Sequence, residues 1–210
     1  LYIAKKRKPM IISTAMANIE EVRDTVNCVK KYIPNKFVLL QCTGNYPSKN
    51  LDSNLKVMLT YKKKFGCLYG YSDHTLDFIN PGAATALGAS VYEKHFTLDK
   101  KLYGPDHRMS LLPSELKKTI EIIKKTKIAL GNEEKEVLDS EKHNRLRLKK
   151  SLVTKSFIKK GEKLNKNKLA IKRPGTGLPP KEIFSIINYV ALKDISANSV
   201  LKRKMLKRIK

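Results

Sequence analysis

The chain has 210 residues, of which 41% are apolar, so it can bury one large core or two small ones. No apolar stretch approaches the ~20 residues of a transmembrane helix, so we expect no membrane association. No leader peptide is visible, and the start at Leu1 fits a fragment. The three cysteines lack a CxxC spacing and lie in or beside apolar segments, which predicts reduced thiols and a cytoplasmic location.

The formal charge of +25, taken alone, indicates nucleic acid or an anionic membrane surface as a partner. However, only 8 of the 44 basic residues are Arg, and no aromatic residues are interleaved with the lysine runs. Surfaces that contact bases favour Arg and aromatic side chains. We therefore expect a solvated, lysine-rich surface and no specific nucleic-acid binding. A basic nucleic-acid binder remains an alternative hypothesis.

Apolar runs alternate with amphipathic stretches from Met10 to about Leu130, which predicts four βα units around a parallel sheet. The predicted strands are 10–13, 37–42, 68–71 and 90–93; the predicted helices begin at the N-cap Asn18, cover 55–64 and 83–87, and run from the N-cap Ser114 to Gly131. Four units amount to half of an eight-stranded barrel, which usually needs ~250 residues. The predicted fold class is therefore α/β, with half of a TIM barrel over residues 1–131.

Residues 132–150 are polar without sustained periodicity, which predicts an inter-domain linker. After it, residues 151–210 show short strands and turns with a weak internal repeat. The repeat places Ile158, Leu164 and Leu169 at the same spacings as Ile195, Leu201 and Leu206, with Gly161 and Asn198 as turn residues. We expect a compact, pseudo-symmetric second domain.

Polar clusters follow all four predicted strands, at 13–14, 43–46, 72–75 and 94–95. The carboxyl ends of barrel strands share one face, where the active sites of this architecture are built. His74 and His95 end neighbouring strands and could converge on one metal ion. A hydrogen-bonded core histidine is the alternative for either residue. No dinucleotide or nucleotide motif and no nucleophile elbow is present.

Six ordered motifs resemble the sialic acid synthase family across nearly the whole chain. They are residues 8–17 (KPMIISTAMA), 42–47 (CTGNYP), 70–76 (GYSDHTL), 93–99 (EKHFTLD), 104–107 (GPDH) and 172–177 (KRPGTG). The resemblance implies a TIM barrel followed by an antifreeze-like (SAF, β-clip type) domain. It also implies a synthase that condenses phosphoenolpyruvate with an N-acetylated hexosamine and water, giving a nine-carbon sialic acid and phosphate.

The resemblance further assigns roles to individual residues. His74 and His95 would bind a divalent metal, typically manganese, with magnesium or cobalt as alternatives, and would act in catalysis together with Asp106. The predicted substrate-binding residues are Ser13, Asn45 and Ser72 for phosphoenolpyruvate, and Tyr46, Asp106 and Arg173 for the sugar. Arg173 would reach into a partner subunit, which predicts a domain-swapped homodimer.

The resemblance also implies that the catalytic Lys and Glu of the family belong to the other half of the barrel, so we expect the isolated fragment to be inactive. The motifs at 104–107 and 173–177 favour a neuraminate or legionaminate substrate over pseudaminate. A fragment that merely binds carbohydrate or anions without catalysis is the alternative of a different class.

Overall fold

The computed structural model describes residues 1–209, and the chain divides into two compact units, Leu1–Asn132 and Glu133–Lys210. Within the described residues, no helix is long and apolar enough to cross a lipid bilayer. The first unit ends one residue after the predicted boundary at 131, and residues 133–150, which were assigned to a linker, are grouped with the second unit.

The first unit contains a four-stranded parallel sheet in the order β1-β2-β3-β4. Its strands are β1 (Met10–Ser13), β2 (Phe37–Cys42), β3 (Leu68–Asp73) and β4 (Val91–Lys94), and its α-helices are α1 (Ile19–Lys30), α2 (Val57–Phe65), α3 (Ile79–Ala86) and α4 (Pro113–Leu130). Each strand is followed by one of these helices. The predicted α/β half barrel of four βα units is confirmed.

Helix α1 begins at the predicted N-cap. The Asn18 side chain accepts hydrogen bonds from the backbone N–H groups of Glu20 and Glu21, and the Glu21 carboxylate accepts one from the Asn18 backbone. The apolar face of the helix then buries Val22 and Val26 against the sheet. Capping and periodicity therefore agree on where this helix lies.

Helix α4 begins two residues earlier than predicted, so the assignment of Ser114 as its N-cap is wrong. Pro113 is the first helical residue, where its missing N–H leaves no donor unpaired. The Glu115 carboxylate accepts a hydrogen bond of 2.8 Å from the Leu112 backbone N–H, which makes Leu112 the N-cap. The predicted end at Gly131 is confirmed.

Strands β3 and β4 extend further than predicted. Ser72, Asp73 and Lys94 were assigned to loops, but β3 continues to Asp73 and β4 to Lys94, and these two residues are paired across the strands. Charged residues near a strand end resemble a loop in the sequence. Here their charges neutralise each other in the interior, so the ladder continues.

The two faces of the sheet are different. One face packs against the helices through a core that includes Phe37, Leu39 and Tyr71. Because side chains alternate along a strand, the residues between these point to the other, inner face. Rows of paired residues cross that face: Ser13, Leu40, Gly70 and Val91, and above them Cys42, Ser72 and Glu93. The inner face thus changes from apolar to polar toward the carboxyl ends of the strands.

The second unit contains α5 (Asp139–Leu148) and two antiparallel strand pairs, formed by β5 (Ser151–Thr154) with β6 (Leu169–Lys172) and by β7 (Tyr189–Ala191) with β8 (Leu206–Arg208). Helix α5 was not predicted from the sequence. Its residues are all exposed, and it therefore lacks the apolar periodicity that marks a packed helix.

The predicted internal repeat in the second unit is confirmed. Ile158 and Ile195 pair with each other through reciprocal backbone hydrogen bonds of 2.9 Å. Gly161 and Asn198 both adopt the left-handed conformation expected at turns, with φ of 81° and 59°. The six apolar residues of the repeat are all buried in one core. The two copies therefore meet at equivalent positions.

Gly70 in β3 leaves no room for a Cβ beside β4, and we predict that Gly70→Ala destabilises the first unit by about 2–3 kcal/mol through overpacking. An added Cβ would lie 2.1 Å from the Val91 backbone oxygen. Gly82→Ala is the matched control, because its Cβ would meet only side-chain atoms, at 3.3 Å and beyond. This control should change stability by at most about 1 kcal/mol. Equal urea-unfolding midpoints for the two variants would contradict the prediction.

Candidate functional site

His74 and His95 come together at the carboxyl end of the sheet. Each directly follows one member of the last residue pair between β3 and β4, Asp73 and Lys94. The two imidazole rings lie 5.3 Å apart between centroids. The Tyr46 ring, from the loop after β2, lies 4.0 Å from His74 and 5.8 Å from His95. The site therefore draws on the ends of three successive strands.

His74 is buried, and its ring is held by the main chain. Its Nδ1 lies 2.8 Å from the Thr43 carbonyl oxygen, and the Cys42 sulfur lies 3.9 Å from the same nitrogen. The carbonyl oxygen of His74 in turn accepts a hydrogen bond of 2.9 Å from the Ser48 backbone N–H. Ring and backbone are thus both fixed by the loop that follows β2.

His95 is half-buried and faces a carboxylate. Its Nδ1 lies 3.7 Å from Asp106 Oδ2, too far for a hydrogen bond but within range of an ion pair when the ring is protonated. The pKa of the Tyr46 phenol is raised by partial burial and by negative groups that include Asp106 and Glu93. Tyr46 therefore stays protonated at neutral pH and is available as a hydrogen-bond donor.

Ser72 and Glu93 lie on the inner face, one row below the histidines. The Ser72 hydroxyl donates a hydrogen bond of 2.7 Å to Glu93 Oε1. A phosphate or carboxylate group bound by Ser72 would compete with Glu93 for this proton. Glu93 was not predicted as a site residue, although it stands two residues before His95, the spacing that puts two strand residues on one face.

The other predicted site residues lie in three places. Ser13 ends β1 and is exposed, and Asn45 is exposed in the loop after β2. Arg173 belongs to the second unit, where its Nε donates a hydrogen bond of 3.2 Å to the Leu148 carbonyl at the end of α5. The structure therefore brings together His74, His95, Tyr46 and Asp106, with Ser72 one row below.

A buried polar network lies on the opposite face of the same strand ends. Asp73 is fully buried, and its Oδ2 accepts hydrogen bonds from Lys94 Nζ at 3.0 Å and from the Tyr92 hydroxyl. Asp73 Oδ1 accepts bonds of 2.8 Å from both the backbone N–H and the hydroxyl of Thr75. Burial raises the pKa of Tyr92, and Asp73 raises it further, so the phenol remains a donor.

The imidazoles of His74 and His95 offer nitrogen donors of the kind that transition metals prefer. Within residues 1–209, no group of three or more His, Cys, Asp or Glu side chains is arranged to hold an ion. A divalent ion bound by two imidazoles alone would keep coordination positions for oxygen atoms of water or substrate. Sites of this kind, with nitrogen ligands and open positions, support Lewis-acid catalysis.

Two family models match the chain. The NeuB family model matches residues 1–135, and the SAF domain model matches residues 149–207. These matches cover both units of the structure.

Three individual proteins illustrate the similarity. The chain is 41% identical to the N,N'-diacetyllegionaminic acid synthase of Legionella pneumophila over 95% of the chain and 57% of that protein. It is 36% identical to the human N-acetylneuraminate-9-phosphate synthase over 96% of the chain and 56% of that protein. The crystal structure of an N-acetylneuraminic acid synthetase from Leptospira borgpetersenii has a TM-score of 0.62 at 34% identity, covering 68% of this chain and 50% of that one.

The chain thus spans 50–57% of the length of these three proteins. The similarity to both family models follows the order of the two units along the chain. The chain therefore belongs to the NeuB family of sialic acid synthases, with half of a TIM barrel followed by an antifreeze-like SAF domain.

Proposed function

We propose that this chain supplies the metal-binding half of a synthase that condenses phosphoenolpyruvate with an N-acetylated hexosamine and water. The products are a nine-carbon sialic acid and phosphate. The observation that carries the proposal is the convergence of His74 and His95 with Tyr46 and Asp106 at the carboxyl end of the sheet. A neuraminate or legionaminate pathway in the cytoplasm is the setting we favour, and the three free cysteines support a reducing compartment.

The hydrogen bond of His74 supports a role as a metal ligand. A carbonyl oxygen only accepts hydrogen bonds, so the 2.8 Å contact with Thr43 requires the proton on Nδ1. The Nε2 lone pair is then free for a divalent ion, for which we propose manganese, with magnesium or cobalt as alternatives. When bound, such an ion would polarise the aldehyde of the open-chain sugar toward attack.

The remaining side chains would bind and orient the two substrates. Ser13, Asn45 and Ser72 would hold phosphoenolpyruvate, and the Ser72 hydroxyl would turn from Glu93 to the anionic ligand. Tyr46 would donate a hydrogen bond to the sugar from its protonated phenol, and Asp106 would accept one from a sugar hydroxyl. The methylene carbon of phosphoenolpyruvate forms the new bond to the aldehyde carbon, water adds to the resulting cation, and phosphate leaves by C–O cleavage.

Turnover would require more protein than the two described units. Within residues 1–209, β1 and β4 each have an unpaired edge, and the inner face exposes Ile11 and Leu68. We propose that further βα units complete the barrel and contribute the family's catalytic Lys and Glu, so that the isolated chain is inactive. We also propose a domain-swapped homodimer in which Arg173 contacts the sugar bound to the partner subunit.

The tautomer of His74 can be tested without metal or substrate. We predict that neutral His74 carries its proton on Nδ1, because only that nitrogen can donate to the Thr43 carbonyl. Side-chain ¹⁵N chemical shifts in the metal-free protein measure the proton's position. His143, exposed on α5, is the internal control and should populate both tautomers. A proton on Nε2 of His74 would contradict the proposed ligand geometry.

The reaction itself is tested by phosphate release from phosphoenolpyruvate, in protein expressed with any in-frame coding sequence upstream of Leu1. We predict release that depends on manganese and on an N-acetylated hexosamine, with N-acetylmannosamine and its relatives as the panel. His74→Ala should lower the rate at least about 100-fold, since Lewis-acid polarisation contributes several kcal/mol.

His143→Ala is the matched control for this assay and should keep the wild-type rate. If no substrate of the panel supports turnover while the protein binds N-acetylated hexosamines, the non-catalytic binding module is the better description. Salt-sensitive retention of DNA without phosphate release would instead favour the nucleic-acid hypothesis.

A further inference from the structure

The last residue pair of the β3–β4 ladder is a buried ion pair. Asp73 and Lys94 face each other in register, with side chains 0% and 5% exposed and an Nζ to Oδ2 distance of 3.0 Å. The next residue along each strand is His74 or His95. Because successive side chains point to opposite faces, the ion pair and the two histidines lie back to back.

The pair also fixes the backbone of Thr75, the residue that follows His74. Asp73 Oδ1 accepts a hydrogen bond of 2.8 Å from the Thr75 N–H, and Lys94 Nζ donates to the Thr75 carbonyl oxygen. Asn80 adds a bond of 3.2 Å to the Thr75 hydroxyl. Thr75, which follows His74, is therefore hydrogen-bonded both to Asp73, which precedes His74, and to Lys94, which precedes His95.

We propose that the buried Asp73–Lys94 pair is a positioning device that sets the separation and orientation of His74 and His95 for metal binding. The inference rests on the proposed function, since it concerns the same two ligands. Asp73 and Lys94 do not touch the ion or the substrates; they act through the backbone of the residues that do. This assigns a role to two charged residues that the mechanism otherwise leaves unused.

The chemistry of the pair argues against a purely stabilising role. Moving two charges out of water is costly, and well-packed apolar residues of similar volume usually serve stability as well or better. An ion pair adds specificity for one geometry, because its hydrogen bonds form only when β3 and β4 pair in this register. Within residues 1–209, five bonds to the Asp73 carboxylate come from groups around the two strand ends, namely Thr75, Asn80, Tyr92 and Lys94.

The test is Mn²⁺ binding, followed by the electron paramagnetic resonance signal of the free ion, in the same protein as the turnover assay. The double variant Asp73→Leu with Lys94→Met removes both charges and keeps an apolar filling. We expect it to fold with a lower unfolding midpoint than the wild type, because the hydroxyls of Thr75 and Tyr92 lose their buried acceptor, while its Kd for Mn²⁺ rises about 10- to 100-fold, the usual effect of losing groups that orient ligands. Asp73→Asn is a second, isosteric variant that still accepts the Thr75 bond but presents an amide to Lys94; we expect a rise of the same order.

The control removes an exposed ion pair of the same unit, formed within helix α1. Arg23 donates to Glu20 there, and Arg23→Met with Glu20→Gln should leave the Kd for Mn²⁺ unchanged. A folded Asp73 variant that binds Mn²⁺ as tightly as the wild type overturns the inference and leaves the proposed function intact. If the wild type itself does not bind Mn²⁺, or binds it equally well after His74→Ala, the proposed metal site and this inference both fail.

Discussion

The in-register pairing of β3 with β4 is the constraint on which the site depends. Asp73 and His74 at the end of β3, and Lys94 and His95 at the end of β4, point to opposite faces of the sheet. The same strand pairing therefore positions both the ion pair and the two histidines. On the inner face it brings His74 to within 5.3 Å of His95, measured between ring centroids. On the outer face it buries Asp73 against Lys94. A slip of one residue between the strands would exchange these faces and remove both features.

The same alternation organises the inner face into layers. Apolar residues such as Leu40 and Val91 share a row with Gly70, the polar pair Ser72 and Glu93 lies above them, and the histidines come last. Gly70 fits this scheme because the strands approach too closely there for a side chain. A packed floor with a polar rim is the arrangement by which barrel enzymes hold substrates at the carboxyl ends of their strands.

Much of this fold could be predicted because apolar periodicity records burial. The four βα units, the cap at Asn18 and the paired turns at Gly161 and Asn198 all follow from residue pattern and backbone preference. Helix α5 could not be predicted this way, because no face of it is buried. The ends of β3 and β4 were not predicted, because charged residues that form a buried ion pair cannot be distinguished by sequence from charged residues in an exposed loop.

The site could be predicted only in part, for a related reason. His74 and His95 were identified by their position after neighbouring strands, but Glu93 lies within the predicted strand 90–93, before the polar loop, and was not identified. Contacts with the main chain leave no trace in residue type, so the role of the Thr43 carbonyl was invisible before the structure. The family motifs suggested roles for Tyr46 and Asp106, and the structure shows both beside the histidines.

The two histidines differ in how their orientation is encoded in the gene. His74 is held by a backbone oxygen, and a substitution at position 43 does not delete this accepting atom. His95 instead faces a side chain in a long loop, and a single base change at Asp106 would eliminate its partner. Substitutions can therefore change the surroundings of His95 while those of His74 stay fixed, which leaves this pair of histidines with one constant side and one adaptable side.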